Sequence, residues 1–419
     1  MPENPLRDAY RPYAALQLRP FRWFTVSLLT MTMAAQMQAV VVGWLIYQVT
    51  KDPLALGLIG LAEVVPYIAV ALLAGYVADR ADRRRVSIVA LAVLCGAAVA
   101  LLVFSVVWPR ATVVWPYFAI IAVCGLARSF LQVSRSALVS EIVPAGLFAN
   151  AATWRSSTWQ LGMVLGPALG GVAYAAFGAP VTFALNATLA FASLGAMLSV
   201  RHTPTPAARD GLSVMRNLAE GLVFLKTNRV IFAALSLDMV AVLFGGAVAL
   251  MPVFASDILR VGPRGLGALQ AAPGAGAVLM ALYLAHRPPM YRAGRALLLS
   301  VVIFGACIVG FGLSKSFLLS VALLFVSGAA DNVSAVIRST MIQILVPPAM
   351  LGRISAVNAI FIGSSNELGA FESGVAARLL GTVPAVVLGG VAAIVTVAIT
   401  AWRAPVLRSF GPIQRENPG

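Results

Sequence analysis

Five carboxylic acids interrupt long apolar stretches of this 419-residue sequence: Glu63, Asp238, Asp331, Glu367 and Glu372. A carboxyl group taken out of water favours its neutral form, so such a residue can accept and release a proton in a low-dielectric region. Asp238 and Glu63 fit this role best from the sequence, because each lies deep in its stretch. Asp238 also has no obvious basic partner on its own stretch. An interhelical hydrogen bond or ion pair is an equally good interpretation of either residue.

Glu367 and Glu372 lie five residues apart, so on a helix they point in different directions. At most one of them is therefore expected to line a transport path. Glu367 is nearer the middle of its stretch, which makes it the third candidate for proton coupling.

Three arginines occur in the same setting, Arg128, Arg135 and Arg338. Asp331 and Arg338 are seven residues apart, which places them on one helix face two turns apart. The spacing predicts that Asp331 pairs with Arg338 or with Arg135. We interpret these residues as structural ion pairs at a cytoplasmic gate.

Amides and an indole in the first apolar stretch could contact a substrate. Gln36 and Gln38 could supply hydrogen bonds, and Trp44 could supply a stacking face to an aromatic or amphipathic molecule. Helix packing is an equally good explanation of Gln38.

Other chemistries find no support in the sequence. A Gly-rich phosphate loop of the Walker type does not occur, so ATP is not the expected energy source. The two histidines lie in loops, and the three cysteines lie singly in apolar runs, so neither a metal site nor a cofactor is expected. Because the acids are scattered, they give no acid–base constellation for an enzyme.

The composition places these residues in a membrane. Hydrophobic residues make up 60% of the chain and charged residues only 11%, and the mean hydropathy is +0.91. A soluble domain carries about 25% charge. The net charge of +15 lies in short clusters between apolar runs, which is typical of membrane orientation and does not indicate nucleic-acid binding.

Charged residues, prolines and glycines divide the chain into twelve apolar runs, each long enough for a membrane-spanning helix. We call them spans one to twelve, and they cover approximately residues 22–49, 54–78, 86–107, 113–135, 151–176, 180–200, 230–256, 265–285, 296–314, 317–338, 354–380 and 384–402. The fold class expected is an all-α membrane protein.

Loop charges predict the orientation. The loops on one side carry twenty Lys and Arg residues, and the loops on the other side carry five, namely Lys51, Arg110, Arg260, Arg264 and Lys315. Positive loops stay in the cytoplasm, so both termini are expected there. Because residues 1–20 are polar and the following run is long, a cleavable signal peptide is not expected.

The apolar runs and the polar stretches between them predict five segments along the chain. They are a cytoplasmic tail (1–20), a six-helix bundle (21–200), a cytoplasmic linker with an amphipathic helix (201–229), a second six-helix bundle (230–402) and a second tail (403–419).

The two halves resemble each other. Arg135 and Arg338 are 203 residues apart, and so are Pro144 and Pro347, which end the two related segments. Two parallel six-helix repeats predict pseudo-symmetric bundles, with a substrate site near the middle of the membrane between them.

Two motifs stand out. The loop after span two contains Gly75, Asp79, Arg80, Arg83 and Arg84, and its carboxylate could meet the positive N-terminus of span eleven and close the cytoplasmic side. Span five contains a small-residue groove with a proline kink, formed by Gly162, Gly166, Pro167, Gly170 and Gly171.

These motifs resemble those of the major facilitator superfamily over nearly the whole chain. The loop is similar to motif A, with Asp82 in place of the second glycine, and span five is similar to the antiporter motif C. The second-half copy of motif A has His286 where the acid would be. Further segments resemble the enterobactin-exporter-like branch, also called transmembrane secretion effectors: Phe21-Arg22, Pro53 to Gly57, Asp79 to Arg84, Val346-Pro-Pro and Gly352-Arg353.

The resemblance implies a monomeric transporter in a bacterial inner membrane that works by alternating access. The leading hypothesis is proton-coupled efflux of a small amphiphilic molecule, such as a siderophore or a drug. An uptake symporter is the alternative within transport, although motif C disfavours it. A non-transporting membrane sensor or assembly protein is the alternative from another class.

Overall fold

The computed structural model describes residues 12–108, 113–201, 223–225, 227–245, 247–287, 292–347, 350–408 and 411. Within these ranges the side chains of Asp79, Arg229 and most of residues 351–364 are not described. Most of the linker predicted at 201–229, including most of its amphipathic helix, lies outside the described residues.

The described chain consists almost entirely of helices that follow the predicted spans. In order they are Arg19–Thr50, Pro53–Arg80, Arg83–Val107, Trp115–Ile142, Phe148–Leu198 (spans five and six), Arg229–Phe244 with Ala247–Val253 and the π-helix Phe254–Ile258 (span seven), Gly262–Ala285, Ala293–Leu313, Phe317–Leu345, Leu351–Leu380 and Thr382–Arg403. Short helices Ala14–Gln17, Ala145–Leu147 and Pro405–Arg408 lie at the ends of spans.

Ten helices in the described ranges are long and apolar enough to cross a membrane. One of these segments, Ala145–Leu198, contains two predicted spans, and the helix Leu351–Leu380 adds another. The helices are therefore consistent with twelve spans, and the all-α membrane fold is confirmed.

Backbone breaks recur at matching positions in the two halves. Gly178, between spans five and six, has φ 75°, and Gly381, between spans eleven and twelve, has φ 92°. They lie 203 residues apart, the same offset as Arg135 and Arg338. A positive φ favours glycine because a Cβ atom clashes there. The repeat therefore extends to the backbone.

Side-chain caps set two helix starts. The Asp82 carboxylate accepts hydrogen bonds from the amides of Arg84 and Arg85, so span three begins at Arg83. This capping role explains why an acid stands at the position where motif A has its second glycine. The Asn228 side chain accepts from the Ile231 amide and starts span seven in the same way.

By its packing, the chain divides into two compact units. The first comprises residues 1–45 and 62–211, and the second comprises residues 46–61 and 212–419. The second unit thus includes the last turn of span one and the first turns of span two. The boundaries predicted from composition stay a prediction.

Glycines bring helices into backbone contact inside each unit. In the first unit, a Cβ atom on Gly166 would lie 2.8 Å from the Met33 carbonyl oxygen, and one on Gly170 would lie 3.1 Å from the Met37 Cα. Span five therefore packs directly on span one through its motif C glycines. In the second unit, Gly276 and Gly328 bring spans eight and ten together in the same manner.

Candidate substrate and proton pathway

An ion pair joins spans two and four near the middle of both helices. Arg128 Nη1 donates to Glu63 Oε1. The pair is only partly buried, with 28% of the Arg128 side chain and 21% of the Glu63 side chain exposed. Part of each charged side chain thus remains exposed, although the pair lies near the middle of both helices.

Polar groups surround this pair. The Tyr67 hydroxyl donates to Gln132 Oε1 over 3.1 Å, and Gln38 Nε2 lies 3.7 Å from the Cys124 sulfur. Gly125 allows the approach of the two helices, because a Cβ atom there would collide with the Glu63 carbonyl oxygen. The middle of the first unit therefore offers a carboxylate, a guanidinium, an amide and a phenol.

Of the three arginines in spans four and ten, the other two, Arg135 and Arg338, are buried. Arg135, only 8% exposed, donates from Nη2 to the Ser27 carbonyl oxygen (3.1 Å), the Ser27 hydroxyl (2.8 Å) and the Ser193 hydroxyl (3.2 Å). Within the described residues this guanidinium has no carboxylate partner. It joins spans one, four and six through neutral groups.

Arg338, the repeat equivalent of Arg135, is paired differently. Its Nη1 contacts Asp238 Oδ2 of span seven, and the two side chains are only 7% and 9% exposed. The Arg338 Nε also donates to the Ser334 carbonyl oxygen over 3.3 Å. Spans seven and ten are thus joined by a buried ion pair.

These contacts correct two expectations. The predicted pairing of Asp331 with Arg338 or Arg135 is wrong, because Arg338 faces span seven and binds Asp238, while Arg135 binds serines. Asp238 and Glu63 are also not lone carboxylates, because an arginine from another helix neutralises each. Helix rotation and interhelical spacing set these partners, and neither can be read from spacing along one helix.

Asp331 is left without a partner among the described residues. It lies near the middle of the helix Phe317–Leu345 and is exposed. Its predicted membership of a gate ion pair is therefore contradicted by its surroundings.

The two glutamates of span eleven have different surroundings. The Glu367 side chain packs against span two, since a Cβ atom on Gly60 would lie 3.0 Å from Glu367 Oε2. Glu367 also makes polar interactions. Glu372 lies elsewhere on the helix and hydrogen bonds to Ser373. A proton-coupling role of Glu367 stays a prediction.

The amides and the indole of span one serve packing in this structure. Gln38 is 9% exposed and Trp44 is 8% exposed, so neither offers a surface to a ligand. The Cβ atom of Gln36 packs against Gly166, where span one contacts span five. Their role in substrate contact stays a prediction.

The motif A arginines bind within the first unit. Arg83 Nη1 donates to Glu141 Oε1 at the end of span four (2.9 Å), and Arg84 Nη2 donates to the Leu198 carbonyl oxygen at the end of span six (2.6 Å). Arg80 stacks on the Tyr76 ring, 4.0 Å from its centroid. The predicted latch through Asp79 depends on a side chain outside the described set and stays a prediction.

A polar cluster in the second unit escaped the sequence reasoning. The Tyr47 hydroxyl donates to Asp257 Oδ2 over 2.5 Å, and Gln48 Nε2 donates to the Ser256 hydroxyl over 3.0 Å. Ser256 and Asp257 lie in the π-helix Phe254–Ile258, and such turns occur often at functional sites. The sequence analysis also did not identify Glu141, an acid on the same predicted cytoplasmic side as the arginines of the loop after span two.

The family model described as transmembrane secretion effector matches residues 10–411. The uncharacterized MFS-type transporter YfiS of Bacillus subtilis is 26% identical over 352 residues, which is 80% of this chain and 81% of that protein. The enterobactin exporter EntS of Shigella flexneri is 28% identical over 287 residues, covering 68% of this chain and 67% of that one.

Solved structures share the fold. A mutant of the nucleoside transporter NupG superposes with a TM-score of 0.71 at 14% identity, covering 92% of this chain and 100% of that one. A mutant of the peptide transporter POT gives 0.72 at 15% identity, covering 93% and 94%. At this identity the likeness concerns the fold alone.

Proposed function

We propose that this chain, which belongs to the transmembrane secretion effector family of the major facilitator superfamily, exports a small amphiphilic molecule in exchange for protons. Membership makes it a multi-pass membrane transporter. Direction, proton coupling and substrate class are the parts that we propose.

The partly exposed ion pair of Glu63 with Arg128 carries the proposal. A fully buried pair would serve only to join two helices, whereas part of each side chain of this pair is exposed, so a proton path that reaches Glu63 is part of the proposal. Protonation of Glu63 removes the charge that holds Arg128, and the guanidinium can then turn to another acceptor. Proton binding can thereby alter the contact between spans two and four, which alternating access requires.

Export as the direction is supported by two observations. The relatives that share about 27% identity over two thirds of this chain are named as exporters. Span five also carries the motif C pattern, and its glycines pack on span one. Uptake remains the alternative that the experiment must exclude.

Inside-out membrane vesicles with an acidic lumen test the proposal. An exporter that uses protons accumulates substrate in the lumen and makes the lumen less acidic as it does so. We suggest enterobactin and a panel of amphiphilic drugs as substrates, with vesicles lacking the protein as the control. Accumulation that does not respond to collapse of the pH gradient contradicts proton coupling, and gradient-driven loss of substrate from the lumen indicates symport.

Exchanging the two charged residues tests whether the ion pair takes part in coupling transport to protons or only joins the two helices. In the variant Glu63→Arg with Arg128→Glu, the helices can still pair, so folding should be largely kept. We expect gradient-driven transport to fall by about 100-fold or more, because the carboxylate now lies on another helix. Substrate counterflow without a pH gradient should persist.

The conservative variant Glu63→Asp is the matched control, since it keeps the charge on span two. It should retain gradient-driven transport at a lower rate. Full transport by the exchanged pair would show that Glu63 and Arg128 are structural.

A further inference from the structure

We propose that Asp331 binds the cationic centre of the transported molecule, so that the substrate class is a cationic amphiphile. This inference rests on the proposed transport function. It assigns to Asp331 a direct contact with the substrate, in place of the gate pairing that the sequence suggested.

Asp331 faces the protein side of its helix. Val326 and Val336, each five residues away, are exposed as expected for a lipid-facing surface. At 100° per residue they lie about 140° around the helix from Asp331. Leu324 and Arg338, seven residues to either side on the stripe of Asp331, are only 1% and 6% exposed.

Asp331 is nevertheless exposed itself. A residue that is open while its neighbours on the same stripe are buried lies at an opening between packed helices. Spans eight and ten touch closely one turn away, where a Cβ atom on Gly328 would collide with the Pro273 carbonyl. The carboxylate is thus open to a ligand at this surface of the second unit.

The repeat assigns Asp331 a counterpart of opposite charge. Arg128 lies 203 residues before it, the offset that relates the two halves. Both residues lie near the middle of their helices, and both are accessible. Arg128 is neutralised by Glu63, whereas Asp331 has no partner among the described residues.

The charges of the second unit also favour a cation. Its described spans carry three acids in or near their middle parts, Asp238, Asp331 and Glu367. The arginine at comparable depth is Arg338, which is already paired with Asp238. A carboxylate within a membrane-spanning helix that lacks a described basic partner gains most from a ligand that brings a positive charge.

Two probes of the same shape and opposite charge test this inference. Tetraphenylphosphonium is a cation and tetraphenylborate is its anionic counterpart. The full-length protein in nanodiscs is titrated with each radiolabelled probe without a pH gradient, and empty nanodiscs supply the lipid background. We expect saturable binding of the cation, weakened by about tenfold or more in Asp331→Asn and kept in Asp331→Glu.

Glu372→Gln is the matched control, because it removes another embedded acid and leaves Asp331 unchanged; cation binding should stay within about twofold of wild type. Because Asp331 has no partner in the described part of the chain, Asp331→Asn should melt at the wild-type temperature, so a loss of binding is not a loss of fold. Equal cation binding by Asp331→Asn, no saturable cation binding by the wild type, or preference for the borate overturns the inference. Cation binding that depends on Asp331, without gradient-driven export in vesicles, instead counts against the proposed function alone.

Discussion

Replacing Asp238 with asparagine is expected to remove most of the folded protein from the membrane. The change leaves Arg338 as a buried guanidinium without its acid, and breaking a buried pair on one side costs about 3–5 kcal/mol. The yield of monodisperse protein from membranes and the midpoint of its thermal unfolding measure the effect. Both should drop strongly.

Two companion variants separate the ion pair from other causes. In Asp238→Leu with Arg338→Met, both charges are gone, so stability should recover to within about 1–2 kcal/mol of wild type. Asp238→Ser places a serine opposite Arg338, as Ser27 lies opposite Arg135 in the first unit, and should be milder than Asp238→Asn. If Asp238→Asn instead folds normally, exchanges substrate and loses only proton-driven transport, Asp238 carries the proton.

Adding a single methyl group at Gly328 is expected to disrupt the contact of spans eight and ten. The new Cβ atom would lie 2.5 Å from the Pro273 Cα and would collide with its carbonyl oxygen. Because backbone cannot move aside as a flexible side chain can, we expect Gly328→Ala to cost about 3 kcal/mol. The unfolding midpoint in detergent checks this.

Gly96→Ala is the matched control, since a Cβ atom on Gly96 of span three meets nothing within 4 Å. It should leave the midpoint unchanged or raise it slightly, because alanine is the better helix former. Gly276→Ala, on the opposite helix of the contact, should behave like Gly328→Ala. An unchanged midpoint in both of these variants would show that the helices can separate without loss of stability.

The helices were predictable because their signals are local. A run of about 20 apolar residues must satisfy its own backbone hydrogen bonds in a membrane, and this depends on no distant partner. The structure extends several helices beyond the apolar cores, as with Trp115–Ile142, because polar residues continue a helix once it leaves the hydrocarbon. The repeat was also readable, since Arg135 and Arg338 stand at one offset.

The chemical partners were not predictable from the sequence. Arg338 has Asp331 on its own helix and Asp238 on another, and the pattern along one helix favoured Asp331. Arg128 lay in the same span as Arg135, yet one binds a glutamate and the other binds serines. The distance between side chains on different helices depends on how each helix is rotated and how deep it lies.

Residue order by itself determined the membrane location, the spans, the two related halves and the motifs, because composition and spacing are fixed along the chain. Tertiary packing decided which charges are neutralised: it buried Asp238 with Arg338, left Glu63 and Arg128 partly open, and left Asp331 exposed with no partner among the residues that the structure describes. The reason is that an ion pair forms only between groups within a few ångströms of each other, and helix packing alone brings residues from distant spans that close.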